Sequence, residues 1–304
     1  MLFPEHVKIV EVSPRDGLQN EKILIPTAIK IELIDRLSET GLSVIEATSF
    51  VSPKWIPQLA DGRDVLMGIH KKPAVKYPVL IPNVQGLEQA LAANVKEIAV
   101  FCTASEAFSQ KNTNCTVLES TQRIEAILLI AKKHGLFVRG YLSCVLGSPY
   151  GDEVPFEKTA ALAGQLHELG CDEISLGDTI GIGTPLNVTK LIMSVAKNVS
   201  IAKIAVHFHD TYGQALANIY AALSLGVTIV DSSVSGIGGC PYAAGATGNV
   251  ATEDVLYMLQ GMHIKTNVNL EKLIQVGRFI SNHLKRPSQS KVNLAYEKKS
   301  TAPQ

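Results

Sequence analysis

The chain has 304 residues, 46% of them hydrophobic, and its 28 basic and 28 acidic side chains cancel to a formal charge of zero. Such a balance offers no charged face to nucleic acid or to an anionic membrane, and no segment approaches the ~20 apolar residues of a membrane span. The 5 cysteines, at 102, 115, 144, 171 and 240, form no CxxC pair, which points to reduced thiols and a soluble, cytoplasmic protein, and the opening MLFPEHVKIVEVSPRDG has neither the basic flank nor the long apolar run of a leader.

Short β-branched runs alternate with longer stretches of helical period. Strands are predicted, in chain order, at VKIVEVS, SVIEATSF, VKYPVLIP, KEIAVFC, FVRGYLSCV, DEISLGD, KIAVHFH and TIVDSSV. Between them, Ile29, Leu33, Ile34 and Leu37 share one helical face, as do Leu162, Leu166 and Leu169, and Leu216, Ile219, Tyr220 and Leu223. Helix exits repeat one form in LSETGLSVIEA, LAANVKEIAV, LHELGCDEISL and LSLGVTIVDS, each with a Gly or Asn able to turn left-handed. About eight βα units joined by right-handed crossovers predict an α/β fold, a (β/α)8 TIM barrel over about residues 5–264, with a C-terminal helical extension over about 265–304, all in one domain. A doubly wound open sheet is the alternative, but neither GxGxxG nor GxxxxGK[ST] follows any of these strands.

Strands covered on both faces should be almost continuously apolar, and these are not. Alternation sets Ile204, Val206 and Phe208 against Lys203, Ala205, His207 and His209. The same division places Val10 and Val12 opposite Glu11 and Ser13, Ile45 and Ala47 opposite Glu46 and Thr48, Val138 and Leu142 opposite Arg139 and Ser143, and Ile174 and Leu176 opposite Glu173 and Ser175. With the apolar parity toward the helices, the polar parity lines the barrel interior. Uncompensated ions there cost several kcal/mol each, so partners or a metal are expected to meet them.

His207 and His209 end the seventh strand, where barrel enzymes keep their chemistry, and i, i+2 side chains share a face about 7 Å apart. Two core histidines bonded to backbone carbonyls would look the same. Asp16 follows Arg15 as the chain leaves the first strand, and an isolated RDG reads equally well as a turn with a solvated ion pair. Two imidazoles with a carboxylate, an amide and no thiolate favour Mg²⁺ or Mn²⁺, while Zn²⁺ and Co²⁺ tolerate such a set. After the eighth strand, SGIGGCPYAAGATGNVATED is a glycine-rich stretch suited to an active-site flap, with Cys240 in it.

Taken together, EVSPRDGLQNE, EATSFVSPKWIPQLAD, ASEAFSQKNTN, RGYLSCVLGSPY, EISLGDTIGIGTP, AVHFHDTYGQALAN and SVSGIGGCPYAAGATGNVATED resemble the hydroxymethylglutaryl-CoA lyase family, in the family's order and over nearly the whole chain. The resemblance implies a divalent cation held by Asp16, His207, His209 and Asn249, Arg15 against the substrate, and Cys240 as the catalytic thiol. It adds Glu46 and Asp178 as acidic site positions, Arg139 and Ser175 as substrate-binding positions, and Ser49 and Glu253 in support, with the catalytic group comprising Cys240, Arg15, Asp16, Glu46, Asp178 and His207. Departures from the family pattern are Ser13 for Gly, Phe208 for a Cys, Ser148 for a Cys and Ser235 for Ala. None removes an implied ligand.

The activity so implied is metal-dependent retro-Claisen cleavage of (S)-3-hydroxy-3-methylglutaryl-CoA to acetoacetate and acetyl-CoA, as in leucine breakdown. Its partner is an acyl-CoA substrate, with no nucleic acid and no membrane; a homodimer is compatible. The proton of the C3 hydroxyl can pass to Asp16, to His207 or, through water, to Asp178. Alternatives are a relative acting on a longer branched 3-hydroxyglutaryl-CoA, a condensing acyl-transferase of the isopropylmalate synthase type, a metal-free thiol hydrolase and a non-enzymatic metal-binding barrel.

Overall fold

The computed structural model describes residues 3–239 and 248–301. Each β-branched run becomes a strand: β1 Lys8–Glu11, β2 Val44–Ile45, β3 Thr48–Ser49, β4 Val79–Leu80, β5 Glu97–Thr103, β6 Phe137–Ser143, β7 Glu173–Asp178, β8 Ile204–Phe208 and β9 Ile229–Ser232. All pairings are parallel, in the order β2-β1-β9-β8-β7-β6-β5-β4-β3. The two ends of this sheet belong to one stretch of chain. Glu46 N donates to Glu11 O at 2.9 Å on the β1 side, and Ala47 N to Pro78 O at 3.0 Å on the β4 side. β2 and β3 are therefore halves of a single stave, and the sheet closes into the (β/α)8 TIM barrel rather than remaining open.

Helices wrap the barrel: α1 Thr27–Ser38, α2 Gly62–Gly68, α3 Val84–Ala92, α4 Glu106–Thr113, α5 Val117–Lys133, α6 Phe156–Leu169, α7 Pro185–Val195, α8 Ala215–Ser224 and α9 Thr252–Gly261. Their starts are written locally: α5 opens on a capping box, with Glu119 N donating to Thr116 Oγ1 at 3.1 Å and Thr116 N to Glu119 Oε2 at 2.7 Å. The repeated helix exits turn at Gly41, Asn94, Gly170 and Gly226, with φ of 95, 56, 119 and 93°. A Cβ at Gly41 would also lie 2.1 Å from the Asn267 carbonyl oxygen, so only glycine fits that exit. The apolar faces hold at Leu33, Ile34, Leu37, Leu166, Ile219 and Leu223, all fully buried. Tyr220 departs from expectation: it lies at the margin of its face, 45% exposed, with its ring 5.1 Å from Phe3.

The main core is the shell between strands and helices, and it takes Ile45, Ala47, Val138, Leu142, Ile174, Leu176, Ile204, Val206 and Phe208, as alternation predicts. A small second cluster, Val10, Val12, Val44, Ala205 and Ile229, forms separately from this shell. Here the first strand corrects the sequence reading: Val10 and Val12 group with the inward parity of β8, and Glu11 faces the shell. Its carboxylate accepts from Ser13 N at 3.0 Å, Val234 N at 2.8 Å and Thr252 Oγ1 at 2.7 Å. Because β1 has an apolar residue on either parity, polarity alone could not orient it.

Two further helices, α10 Leu270–Leu284 and α11 Lys291–Thr301, follow the barrel. α10 packs on α1 and on the turn Val234–Gly236, where Ser235 Oγ meets Ser281 Oγ at 2.7 Å and Ser288 Oγ at 2.6 Å. Among the described residues no helix is long and apolar enough to cross a membrane.

Candidate active site

One π-helical turn, Ser13–Gly17, leaves β1 and sets Arg15 and Asp16 at the barrel rim. The turn needs Gly17, since a Cβ there would lie 2.8 Å from both Ile237 Cγ1 and Ser233 Oγ. At the end of β8, His207 and His209 face the same way, and each offers a nitrogen within 4.8 Å of an Asp16 oxygen and of the other. His207 Nε2 lies 3.8 Å from Asp16 Oδ2, and Asn249 Nδ2 donates to that oxygen at 2.8 Å. Asn249 also bridges His209 through the backbone. The structure thus brings together all four residues of the implied ligand set, although they come from opposite ends of the chain.

These residues fit a divalent cation. Two imidazoles and a carboxylate, with their ligand atoms all within 4.8 Å of one another, form a donor set that one ion can bridge. Burial, followed by the nearness of His207, pushes His209 down to about 4, so it is a neutral imidazole at physiological pH. For Asp16, burial favours the proton, but Arg15 and then the two histidines outweigh it and hold the carboxyl well below its usual range. An anionic carboxylate oxygen and a neutral imidazole nitrogen thus lie within 4.8 Å of each other.

Arg15 is clamped beside them. Its Nε and Nη2 each lie 2.7 Å from Glu46 Oε2, its Nη1 lies 2.7 Å from Asp16 Oδ1, and its guanidinium stands 5.2 Å over the Tyr141 ring. Glu46 is fully buried and also accepts from Tyr141 Oη at 3.2 Å, while its Oε1 has no partner. Burial raises its pKa and Arg15 opposes that rise. Glu46 therefore orients the arginine from inside the barrel.

Arg139 and Ser175 hold Asp231: Arg139 Nη2 donates to its Oδ1 at 2.5 Å and Ser175 Oγ to its Oδ2 at 2.9 Å. Asp178 has both carboxylate oxygens engaged by backbone, from Ile182 N at 3.2 Å and Gly183 N at 2.8 Å, and burial lifts it to about 6 against those bonds. Ser49 is buried with its Oγ unpaired. Glu253 sits in the first turn of α9, accepting from Ser235 N at 2.8 Å and Asn293 Nδ2 at 3.1 Å, so it braces the turn that opens the glycine-rich segment. Cys240 lies outside the described residues. The described residues flanking it are tied to the rim loops, with Asn20 Nδ2 donating to Gly239 O at 3.0 Å and Asp210 N to Gly248 O at 2.7 Å.

Two residues of this cluster escape the sequence reading. Tyr141 stacks between Arg15 and Arg139, with the latter guanidinium 5.1 Å from its ring. Asp231 is fully buried in β9, with Oδ2 3.2 Å from His207 Nδ1. An acid at the centre of a predicted apolar strand was the available signal for Asp231; Tyr141 shares the inward parity of Arg139 but reads as an ordinary strand aromatic.

Fold and site together define a TIM-barrel protein whose C-terminal rim carries a carboxylate–imidazole cluster of cation-binding type beside a fixed arginine. The chain belongs to the HMGL-like family, whose model matches residues 6–280. It is 57% identical over 290 residues to the mitochondrial hydroxymethylglutaryl-CoA lyase of Rattus norvegicus, covering 95% of this chain and 89% of that one. The structure superimposes on hydroxymethylglutaryl-CoA lyase from Pseudomonas aeruginosa with a TM-score of 0.96 at 52% identity, over 98% of this chain and 100% of the other. An HMG-CoA lyase from Acinetobacter baumannii, in complex with coenzyme A and 3-methylmalate, matches at 34% identity with a TM-score of 0.94, over 100% and 99% of the two chains.

Proposed function

We propose that this chain is a hydroxymethylglutaryl-CoA lyase, cleaving 3-hydroxy-3-methylglutaryl-CoA to acetoacetate and acetyl-CoA. The observation that carries the reading is the convergence of Asp16, His207 and His209 beside Arg15, in a barrel that follows lyases of that name along nearly its whole length. Asp16, His207, His209 and Asn249 would hold a divalent cation, for which a set of imidazole, carboxylate and amide without thiolate favours Mg²⁺ or Mn²⁺. When bound, such an ion supplies Lewis acidity to the tertiary hydroxyl and orients the substrate.

The protein groups divide the remaining work. The C3 hydroxyl proton passes to a base at the rim, the role assigned to the Asp16 carboxylate, since both Asp178 oxygens are engaged by the backbone and the His207 nitrogens are taken by Asp231 and the cation. As the C2–C3 bond breaks, C3 becomes the ketone of acetoacetate and the electron pair stays on C2 as the thioester enolate. Arg15, held by Glu46 with a permanent charge, stabilises the enolate oxygen. The Cys240 thiol then gives C2 its proton, completing acetyl-CoA. Cys102, Cys115 and Cys171 are free thiols, as in a reducing compartment.

The test is a product assay with 3-hydroxy-3-methylglutaryl-CoA after EDTA treatment and re-addition of Mg²⁺ or Mn²⁺. Acetoacetate and acetyl-CoA in equal amounts, restored by the ion, are expected. Free CoA released without metal would instead identify a thioester hydrolase, and free CoA formed only from acetyl-CoA plus a 2-oxo acid would identify a condensing enzyme.

A further inference from the structure

A continuous chain of opposite charges crosses the inside of the barrel toward His207. Lys8 Nζ lies 2.5 Å from Glu173 Oε2, Glu173 Oε1 lies 3.0 Å from Arg139 Nη1, and Arg139 Nη2 lies 2.5 Å from Asp231 Oδ1. Asp231 Oδ2 then meets His207 Nδ1 at 3.2 Å, and His207 Nε2 points to Asp16 at 3.8 Å. Two residues before Asp231 on the same strand, Ile229 shows that this interior accepts an apolar filling. Three buried ions below His207 are thus not needed to fill space, and burying them without function would be costly.

We propose that Asp231 is a positioning residue that fixes the tautomer and ring orientation of His207, and that Arg139 and Ser175 in turn fix Asp231. The inference rests on reading Asp16, His207 and His209 as a cation site and assigns how one ligand is prepared for it. An ionised Asp231 with donors from Arg139 and Ser175 can only accept, so His207 must carry its proton on Nδ1. A neutral His207 then has its lone pair on Nε2, the atom facing Asp16. His209 has no carboxylate behind it, its ring meeting the Thr179 backbone instead, so the two histidines are prepared differently.

Asp231→Asn tests this with almost no change of shape. Arg139 would keep the amide oxygen on its side, turning the NH₂ toward His207 Nδ1; that nitrogen becomes the acceptor and the proton moves to Nε2, where it blocks a ligand. Titration of Mn²⁺ into the full-length apo protein, with free ion read by electron paramagnetic resonance, is expected to show binding weakened ~10–100-fold in Asp231→Asn. Ser175→Ala, which leaves the carboxylate in place, should weaken it less. Nitrogen-15 spectra of labelled histidine in the wild type, assigned with His207→Gln and recorded at alkaline pH, because against burial Asp231 and Asp16 raise the pKa of this ring, should show neutral His207 protonated at Nδ1 and free at Nε2. An Asp231→Asn protein that binds Mn²⁺ within twofold of wild type overturns the inference, as does the opposite tautomer, which can be read even if the variant fails to fold. Wild-type protein that binds no Mn²⁺ sinks the cation reading instead, and the tautomer still decides whether Asp231 governs His207.

Discussion

His209→Ala isolates the cation site from the fold, because the imidazole it removes pairs with no charged group but the site itself, whereas Asp16 is bonded to Arg15 and Asn249. An ion present at a hundredfold its dissociation constant stabilises the native state by ~2.7 kcal/mol. Unfolding entropy near the midpoint is ~2.1 cal/mol/K per residue, or ~0.6 kcal/mol/K for a chain of 304 residues, so the melting midpoint should rise by about 4 °C. If losing His209 weakens binding ~100-fold, the same ion concentration stabilises by only ~0.4 kcal/mol, a rise of under about 1 °C. Differential scanning calorimetry of EDTA-treated wild type and variant, with and without Mn²⁺, reads both shifts, each taken against its own metal-free baseline so that any packing loss in the variant drops out. An equal shift in both proteins, or none in wild type from Mg²⁺, Mn²⁺, Co²⁺ or Zn²⁺, would refute the cation site.

Arg15→Lys keeps the charge but cannot span Glu46 and Asp16 together, so kcat should drop ~10²–10³-fold with KM little changed; a loss confined to KM would remove the arginine from enolate stabilisation. Cys240→Ala should abolish turnover while leaving the Mn²⁺-induced melting shift intact, and normal turnover would refute the thiol's role as proton donor. Glu253 has its carboxyl raised from 4.5 to about 8, chiefly by burial, so between these values the unfolded chain releases a proton that the folded chain keeps. Wild-type stability therefore falls as pH rises through that window, by up to ~1.4 kcal/mol per pKa unit, and Glu253→Gln lacks this slope. Melting of the two proteins from about pH 5 to 9 should show the variant gaining on wild type as pH rises; a constant difference would mean that Glu253 is ionised in the fold throughout.

Local signals were strong along this chain. Strand positions followed from β-branched runs, and the four helix exits carried Gly or Asn where the backbone turns left-handed, because those turns are decided within a few residues. Inward and outward faces were readable on β6 and β8, where polar residues occupy one parity only, and on β7 up to Gly177, after which Asp178 falls on the apolar parity. They were misread on β1, where Ile9 and Val10 are both apolar and Glu11 finds its partners in Val234 and Thr252, more than two hundred residues away. Tyr220 shows the same limit on a helix: a 3.6-residue period places it near the core without settling which side of the margin it takes.

By itself the sequence determined the succession of strands and helices, the paired imidazoles at the end of β8, and, through its likeness to a known family, which far-apart residues to watch. Only barrel closure decided that Asp16 and Asn249 meet those imidazoles, that Glu46 clamps Arg15, and that Asp231 stands behind His207. The physical reason is range. Periodicity and turn chemistry act over a few residues, whereas each contact at this site joins strand ends brought together by hydrogen bonding around the whole barrel and by burial of the shell outside it.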